Sequence, residues 1–359
     1  MTESPIYQLQ ATKVLVCPLD WGLGHATRCI PIIRILTSRG IKVVVACSPQ
    51  LKPLFINEVP ELELDTFEGA RIRYSRSSHL VPRLLADLPL LLLWYFRERR
   101  FTKTLVTRHK ADCIISDNRY GVRQGGIKNI LITHQLAPIM PRLLKWAEPI
   151  AAWVFQTVIK SFDECWVPDL PMPDSLAGLL VHRYPLPYNV RFIGPQSRFT
   201  DCDKPDIFRS ENQQESTSAN EYELLGIVSG PEPQRSILLD IMIRQFSTYS
   251  GKSLILTGRP EQGAPKIVKT DQGPDLAPHL ETAQLKALLT RTPYIVCRSG
   301  YSTIMDLYYL GRSAIIIPTP GQTEQEYLSQ YHSSRHLAIS QDEFVTATLS
   351  SLLERLLRL

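Results

Sequence analysis

The sequence contains no C-x-x-C pair and no uninterrupted apolar run of about twenty residues, so a thiol-based zinc cage and a membrane-spanning helix are not written into it. The opening stretch MTESPIYQLQATK carries no apolar signal region, and the expectation is a cytoplasmic protein. Motifs that read RNA or DNA are missing too. A net charge of +5, from 40 basic and 35 acidic residues, therefore reads as a local basic patch rather than a nucleic-acid footprint. The seven cysteines, Cys17, Cys29, Cys47, Cys113, Cys165, Cys202 and Cys297, are scattered. Several fall within apolar strands or helix faces, which suits buried thiols in a reducing compartment. The first glycine turn, Gly22-Leu23-Gly24, lacks a third glycine three residues on, and no acidic residue closes the next strand. The dinucleotide fingerprint fails on both counts.

What is present is a chain of 359 residues with ordinary globular composition, 44% hydrophobic and 21% charged, long enough for two domains. The most informative stretch runs from Pro293 to Tyr331. Its pattern predicts a strand at Tyr294 to Cys297, a turn at Arg298-Ser299-Gly300 and a helix from Ser302 to Leu310. Gly311 then stops the helix, a strand follows at Ala314 to Ile317, and a second helix starts near Thr323. Two polar clusters survive in this apolar unit: Asp306 on the first helix, and Gln322 to Glu326 at the start of the second. Backbone N–H groups after Ser299 and Gly300 lie at a helix N-terminus, where unsatisfied donors and the helix dipole favour an anion. A carboxylate can accept both hydroxyls of a ribose, and amide or carboxylate groups can hold those of a hexose. Both loops leave the carboxyl ends of strands, where open α/β sheets bind ligands.

With Arg298-Ser299-Gly300 followed by Asp306, and then Gln322-x-x-Gln325-Glu326-Tyr327, this stretch resembles the donor-site region of family 28 glycosyltransferases. That family has the GT-B fold, an α/β architecture of two Rossmann-like domains facing across a cleft. The family usually has Glu where Asp306 stands and Gln-Gln where Gln325-Glu326 stands. The resemblance implies domains at 1–200 and 222–359, joined by a polar linker at 201–221, with acceptor binding in the first domain and donor binding in the second.

Earlier in the chain, Lys13 to Leu19 and Ile41 to Cys47 read as strands around a helix that ends at Gly40, a βαβ unit with His25 at its first turn. GLGHATR resembles the family's N-terminal glycine loop, although Trp21 and Leu23 stand where glycines are usual. His25 can serve as a general base or orient an acceptor or diphosphate, or it can be no more than a local cap. Strands at Asp112 to Ser116 and Asn129 to Thr133 end in Asp117 and in His134-Gln135, on the same edge as Gly24 and His25. Leu80 to Lys103 is apolar with basic flanks, including Arg83, Arg97, Arg99, Arg100 and Lys103. It fits either a core helix or a segment lying on anionic headgroups. Met140 to Lys160, with Trp146 and Trp153, reads as a helical pair in the core. Gly194 to Arg198 keeps the spacing of the family's hinge turn, which makes Arg198 a candidate for diphosphate contact. Thr200 to Glu221 is polar and reads as a connection, and its Asp201-x-Asp203 pair is not taken as a metal site. In the second half, strands at Glu223 to Val228 and Lys252 to Thr257 flank a small-residue turn at Ser229-Gly230, another anion nest. Glu343 to Leu359 reads as an amphipathic helix free to pack across the first domain.

The resemblance, taken with these features, implies an inverting transferase that needs no metal or other cofactor. It would move a hexosyl or N-acetylhexosaminyl group from a nucleoside-diphosphate sugar, UDP-linked foremost, to a lipid-linked or glycan acceptor. His25 and Asp117 are the catalytic candidates. Arg198, Ser229, Gly230, Arg298, Ser299, Gly300, Asp306, Gln325 and Glu326 are the donor-side set, and Gly24, His134 and Gln135 the acceptor-side set. A nucleotide-sugar 2-epimerase and a non-catalytic subunit of a polysaccharide assembly complex are the competing readings.

Overall fold

The computed structural model describes residues 4–20, 22–69, 80–200, 222–259 and 266–359, and for residues 80–89, 91 and 142 the backbone alone. The chain divides into two compact units, Met1–Gln196 and Ser197–Leu359. The expected linker 201–221, with its Asp201-x-Asp203 pair, lies outside the described residues, as do Trp21 and Cys202.

In the first unit the strands are β1 (Lys13–Cys17), β2 (Lys42–Cys47), β3 (Glu63–Thr66), β4 (Cys113–Asp117), β5 (Lys128–Ile132), β6 (Glu164–Val167) and β7 (Val190–Phe192). They form one parallel sheet in the order β3-β2-β1-β4-β5-β6-β7. Segments such as VLVC and VVVAC are buried along their whole length, because helices cover both faces of such a sheet and leave no solvent side for polar residues. The order reverses between β1 and β4, which creates the crevice where doubly wound sheets bind ligands.

The second unit repeats the plan with β8 (Leu224–Ile227), β9 (Ser253–Leu256), β10 (Asp275–Ala277), β11 (Tyr294–Arg298), β12 (Ile315–Ile317) and β13 (Leu337–Ala338). Their order is β10-β9-β8-β11-β12-β13, again parallel throughout. The switch falls between β8 and β11. Gly226 in the middle of β8 allows a helix to lie close on the sheet, since a Cβ there would meet the Phe246 ring at 3.1 Å. The Tyr301–Leu310 helix ends at Gly311 in the left-handed conformation, φ 62°, a geometry that glycine adopts without a Cβ penalty.

Two sequence expectations are corrected. The segment expected to be core at 140–160 forms a 3-10 stretch, Arg142–Ala147, and a helix, Glu148–Ile159. Only Glu148, Ala152 and Ile159 of that helix are fully buried, whereas Trp146 and Trp153 are 73% and 68% exposed, alongside exposed Leu143 and Ile150. The helix is apolar on more than one side, so its composition did not show which side the sheet would take. The C-terminal tail is two helices, Gln341–Thr346 and Leu349–Leu357. Leu349, Leu352, Leu353 and Leu356 pack with Phe246, Met242 and Val228 in the core of their own unit. The 80–109 stretch is one helix, Leu80–His109, and no helix among the described residues is long and apolar enough to cross a membrane.

Candidate active site

At the first unit's switch point, the turn after β1 leads into the Leu23–Ser38 helix, and β4 ends on Asp117. Their juxtaposition across the β1–β4 pair brings His25 to Asp117, with His25 Nδ1 3.2 Å from Asp117 Oδ1. Asp117 is wholly buried and is held by Arg28, a residue the sequence reading passed over. Arg28 Nε donates to Asp117 Oδ2 at 2.8 Å and Nη2 donates to Oδ1. Arg28 also reaches Nδ1 of His134 through Nη1 at 2.9 Å and Nδ1 of His25 through Nη2 at 2.9 Å. Arg28 is one helical turn beyond His25, the spacing that puts two side chains on one face. That spacing was the available signal.

Burial alone would raise the Asp117 carboxyl, but the Arg28 guanidinium, by its charge and its hydrogen bonds, outweighs it and holds Asp117 well below the usual carboxylate range. His25 moves down from its ordinary value of 6.5, through burial first and the Arg28 charge second. Asp117 is 0% exposed, so it acts through its neighbours rather than on a ligand. His25, with 19% of its side chain exposed, is the member that a substrate can touch. Gln135 is half-buried, its N–H bonded to Thr133 Oγ1 at 3.1 Å, and Gly24 accepts from the Thr27 hydroxyl at 3.1 Å. A second buried network beside β4, Arg119 with Glu98 at 2.9 Å and the Phe67 carbonyl at 3.1 Å, also escaped the sequence reading. Its partners lie 21 and 52 residues away in the chain.

In the second unit, Gly300 is the N-cap residue of the Tyr301–Leu310 helix at the end of β11, and its cap has no side-chain hydrogen bond. Asp306, half-buried, accepts the Ser197 hydroxyl at 2.7 Å, and Arg198 Nε stands 3.8 Å from its other oxygen. Burial raises the Asp306 carboxyl above its ordinary value, and Arg198 offsets this in part. Ser229 and Gly230 follow β8, with Gly230 at φ 104°. The neighbouring Gln234–Phe246 helix is already capped by an acid of its own: Glu232 accepts the Ser236 N–H at 3.2 Å and its hydroxyl at 2.8 Å.

Three donor-side candidates occupy structural positions. Arg298 is 0% exposed. Its guanidinium donates to the carbonyls of Pro318 at 3.0 Å and Gln234 at 3.2 Å and to the Gln341 side chain at 2.8 Å, and burial pulls it down to about 10. Ser299 is buried and donates to the Gln325 carbonyl at 2.8 Å. Gln325 is also buried, and its side-chain oxygen accepts the Thr319 N–H at 2.9 Å. These three fix the shape of the loops instead of facing outward. Glu326 is exposed and accepts the Gly321 N–H at 2.8 Å, which leaves its carboxylate at the surface of the same loop.

Two parallel doubly wound sheets in one chain are the architecture of the GT-B fold. Solved structures agree on the fold: a spinosyn rhamnosyltransferase complexed with thymidine diphosphate is similar at TM-score 0.58 and 15% identity, covering 95% of this chain and 92% of that one. The calicheamicin glycosyltransferase CalG4 is similar at TM-score 0.58 and 10% identity, covering 97% and 90%. Residues 278–358 match the family model described as the glycosyltransferase family 28 C-terminal domain. No curated protein matches the sequence.

Proposed function

We propose that the protein is an inverting glycosyltransferase that moves a hexosyl or N-acetylhexosaminyl group from a nucleoside-diphosphate sugar, with UDP as the foremost nucleotide, to a lipid-linked or glycan acceptor. One observation carries this reading. The segment that matches the family 28 domain is also the segment where a helix N-terminus at Gly300 and a half-buried carboxylate at Asp306 stand together beyond β11. A helix N-terminus favours a diphosphate, and Asp306 has the two acceptor oxygens that a ribose diol requires. Arg198, beside Asp306, adds a permanent positive charge that can answer the charge growing on the leaving diphosphate, so no metal is needed for that task. In the first unit, His25 is the candidate for substrate contact, with 19% of its side chain exposed.

The exposed apolar face of 143–154 favours a lipid-linked acceptor. Leu143, Trp146, Ile150 and Trp153 are neighboured in sequence by exposed Lys145 and Lys160. Leu92, Leu93 and Phe96 of the Leu80–His109 helix are also exposed, next to exposed Arg97, Arg99 and Arg100. Tryptophan with lysine and arginine is the composition that settles at an anionic bilayer surface. The function is tested by incubating the protein with UDP-, TDP-, GDP- and ADP-sugars and a polyprenyl-phosphate-linked acceptor. Acceptor-dependent release of nucleoside diphosphate, with NMR showing the opposite anomer in the product, is expected. Conversion of the sugar nucleotide without acceptor would point to an epimerase.

A further inference from the structure

His25 Nδ1 lies 2.9 Å from Arg28 Nη2 and 3.2 Å from Asp117 Oδ1. A single ring nitrogen cannot accept from the first and donate to the second at once. The guanidinium has five N–H groups, no acceptor and no accessible neutral form, so its hydrogens must find lone pairs. Nε–H and one Nη2–H are taken by the two oxygens of Asp117. One Nη1–H goes to His134 Nδ1 at 2.9 Å, and the second Nη2 hydrogen faces His25. Asp117 Oδ1 is already bound by a charged donor, and Cys29 Sγ points at Oδ2 from 3.6 Å. The groups facing His25 are therefore Arg28 from its own helix, Asp117 from β4 and His134 from the turn after β5. The arrangement that satisfies all of them leaves a lone pair on His25 Nδ1 and the hydrogen on Nε2.

We propose that Arg28 is a positioning residue that fixes His25 in the Nε2–H tautomer, so that His25 meets its substrate as a hydrogen-bond donor through Nε2 and not as the proton acceptor. Arg28 is 1% exposed, too deep to touch the ligand itself. Burial and the adjacent Arg28 charge both work against protonating His25, which keeps the Nδ1 lone pair available. The consequence for turnover rests on the glycosyltransferase reading, whereas the tautomer does not.

The direct test is NMR of the full chain labelled with ¹⁵N-histidine, with the His25 signal assigned by its loss in His25→Gln. The wild-type protein is expected to show the Nε2–H tautomer for His25. Arg28→Lys keeps the charge but loses the fork, and is expected to let His25 turn to Nδ1–H facing Asp117. Nδ1–H in the wild-type protein, or an unchanged tautomer in a folded Arg28→Lys variant, overturns the proposal, and the wild-type spectrum decides if that variant does not fold. In turnover assays, His25→Gln retains an N–H donor and should stay within about tenfold of wild type, while His25→Ala should lose about 10²-fold or more, the scale of one lost charge-stabilising donor. Equal losses would contradict a donor role. If no sugar nucleotide supports turnover, the transferase reading falls and the NMR result still decides the tautomer.

Discussion

Arg298 and Arg28 are buried guanidiniums that differ in what they hold. Arg298 donates to the Pro318, Gln234 and Gln341 oxygens and stitches the end of β11 to its neighbours, so its removal leaves buried acceptors without donors. Arg298→Met is expected to lower stability by on the order of 3 kcal/mol in urea denaturation, with sugar-nucleotide affinity of the folded protein changed less than about threefold. Unchanged stability with lost affinity would return Arg298 to the ligand. His336 supplies a pH test. It is 4% exposed, and burial, aided by His332 and Arg335, brings it down to about 4 from 6.5. The unfolded chain binds this proton near pH 6.5 and the folded chain only near pH 4, so stability should fall as pH drops across that window. The contribution is about 3 kcal/mol. His336→Gln should flatten the slope of unfolding free energy between pH 7 and pH 4.5, and an equal slope would contradict this account.

At this scale, the sequence shows a residue's chemistry but not its partners. His25 and Asp117 were legible because each ends a recognisable strand or opens a helix. Arg28 was not, because its value depends on three groups from different elements meeting it. Arg298 was legible as a charge beside a glycine turn, but only the packed structure shows its guanidinium turned inward.

Among elements, the strongly patterned stretches were read well and the edges poorly. The strand, turn and helix series at Tyr294–Tyr331 is observed at nearly the expected bounds. β3 and β13 escaped because an edge strand of two to four residues, ELDT or LA, has too little alternation to register. The 142–159 stretch failed for a different reason: apolar residues on several sides of a helix announce burial, while the docked side is chosen by tertiary packing. Its exposed face carries a prediction. Changing Trp146 and Trp153 together to Ser should reduce co-sedimentation with anionic vesicles at least tenfold and leave the circular dichroism spectrum unchanged. Equal wild-type binding to neutral vesicles would argue against headgroup recognition, and a dimer dissolved by the double change would make this face an interface between copies of the chain.

For the whole molecule, two sheets of order 3-2-1-4-5, each with its own switch point, follow from alternating strand and helix patterns on either side of residue 197. Buried strand segments such as VLVC and IVC announce parallel sheets because only a strand covered on both faces dispenses with polar residues. The fold class was therefore open to reading, while the sugar, the acceptor and the inward-facing members of the loops depend on positions that pattern does not fix.

The central claim is that the second unit binds an activated sugar through its diphosphate and ribose beside Gly300 and Asp306. Isothermal titration of UDP- and TDP-sugars into the wild-type protein and Asp306→Ala tests it most directly. Saturable binding, weakened at least about tenfold by the substitution (1.4 kcal/mol or more) with the melting temperature unchanged, is the predicted result. Sugar-nucleotide binding that is equally tight in both proteins, or absent from the wild type for every nucleotide tried, would contradict it.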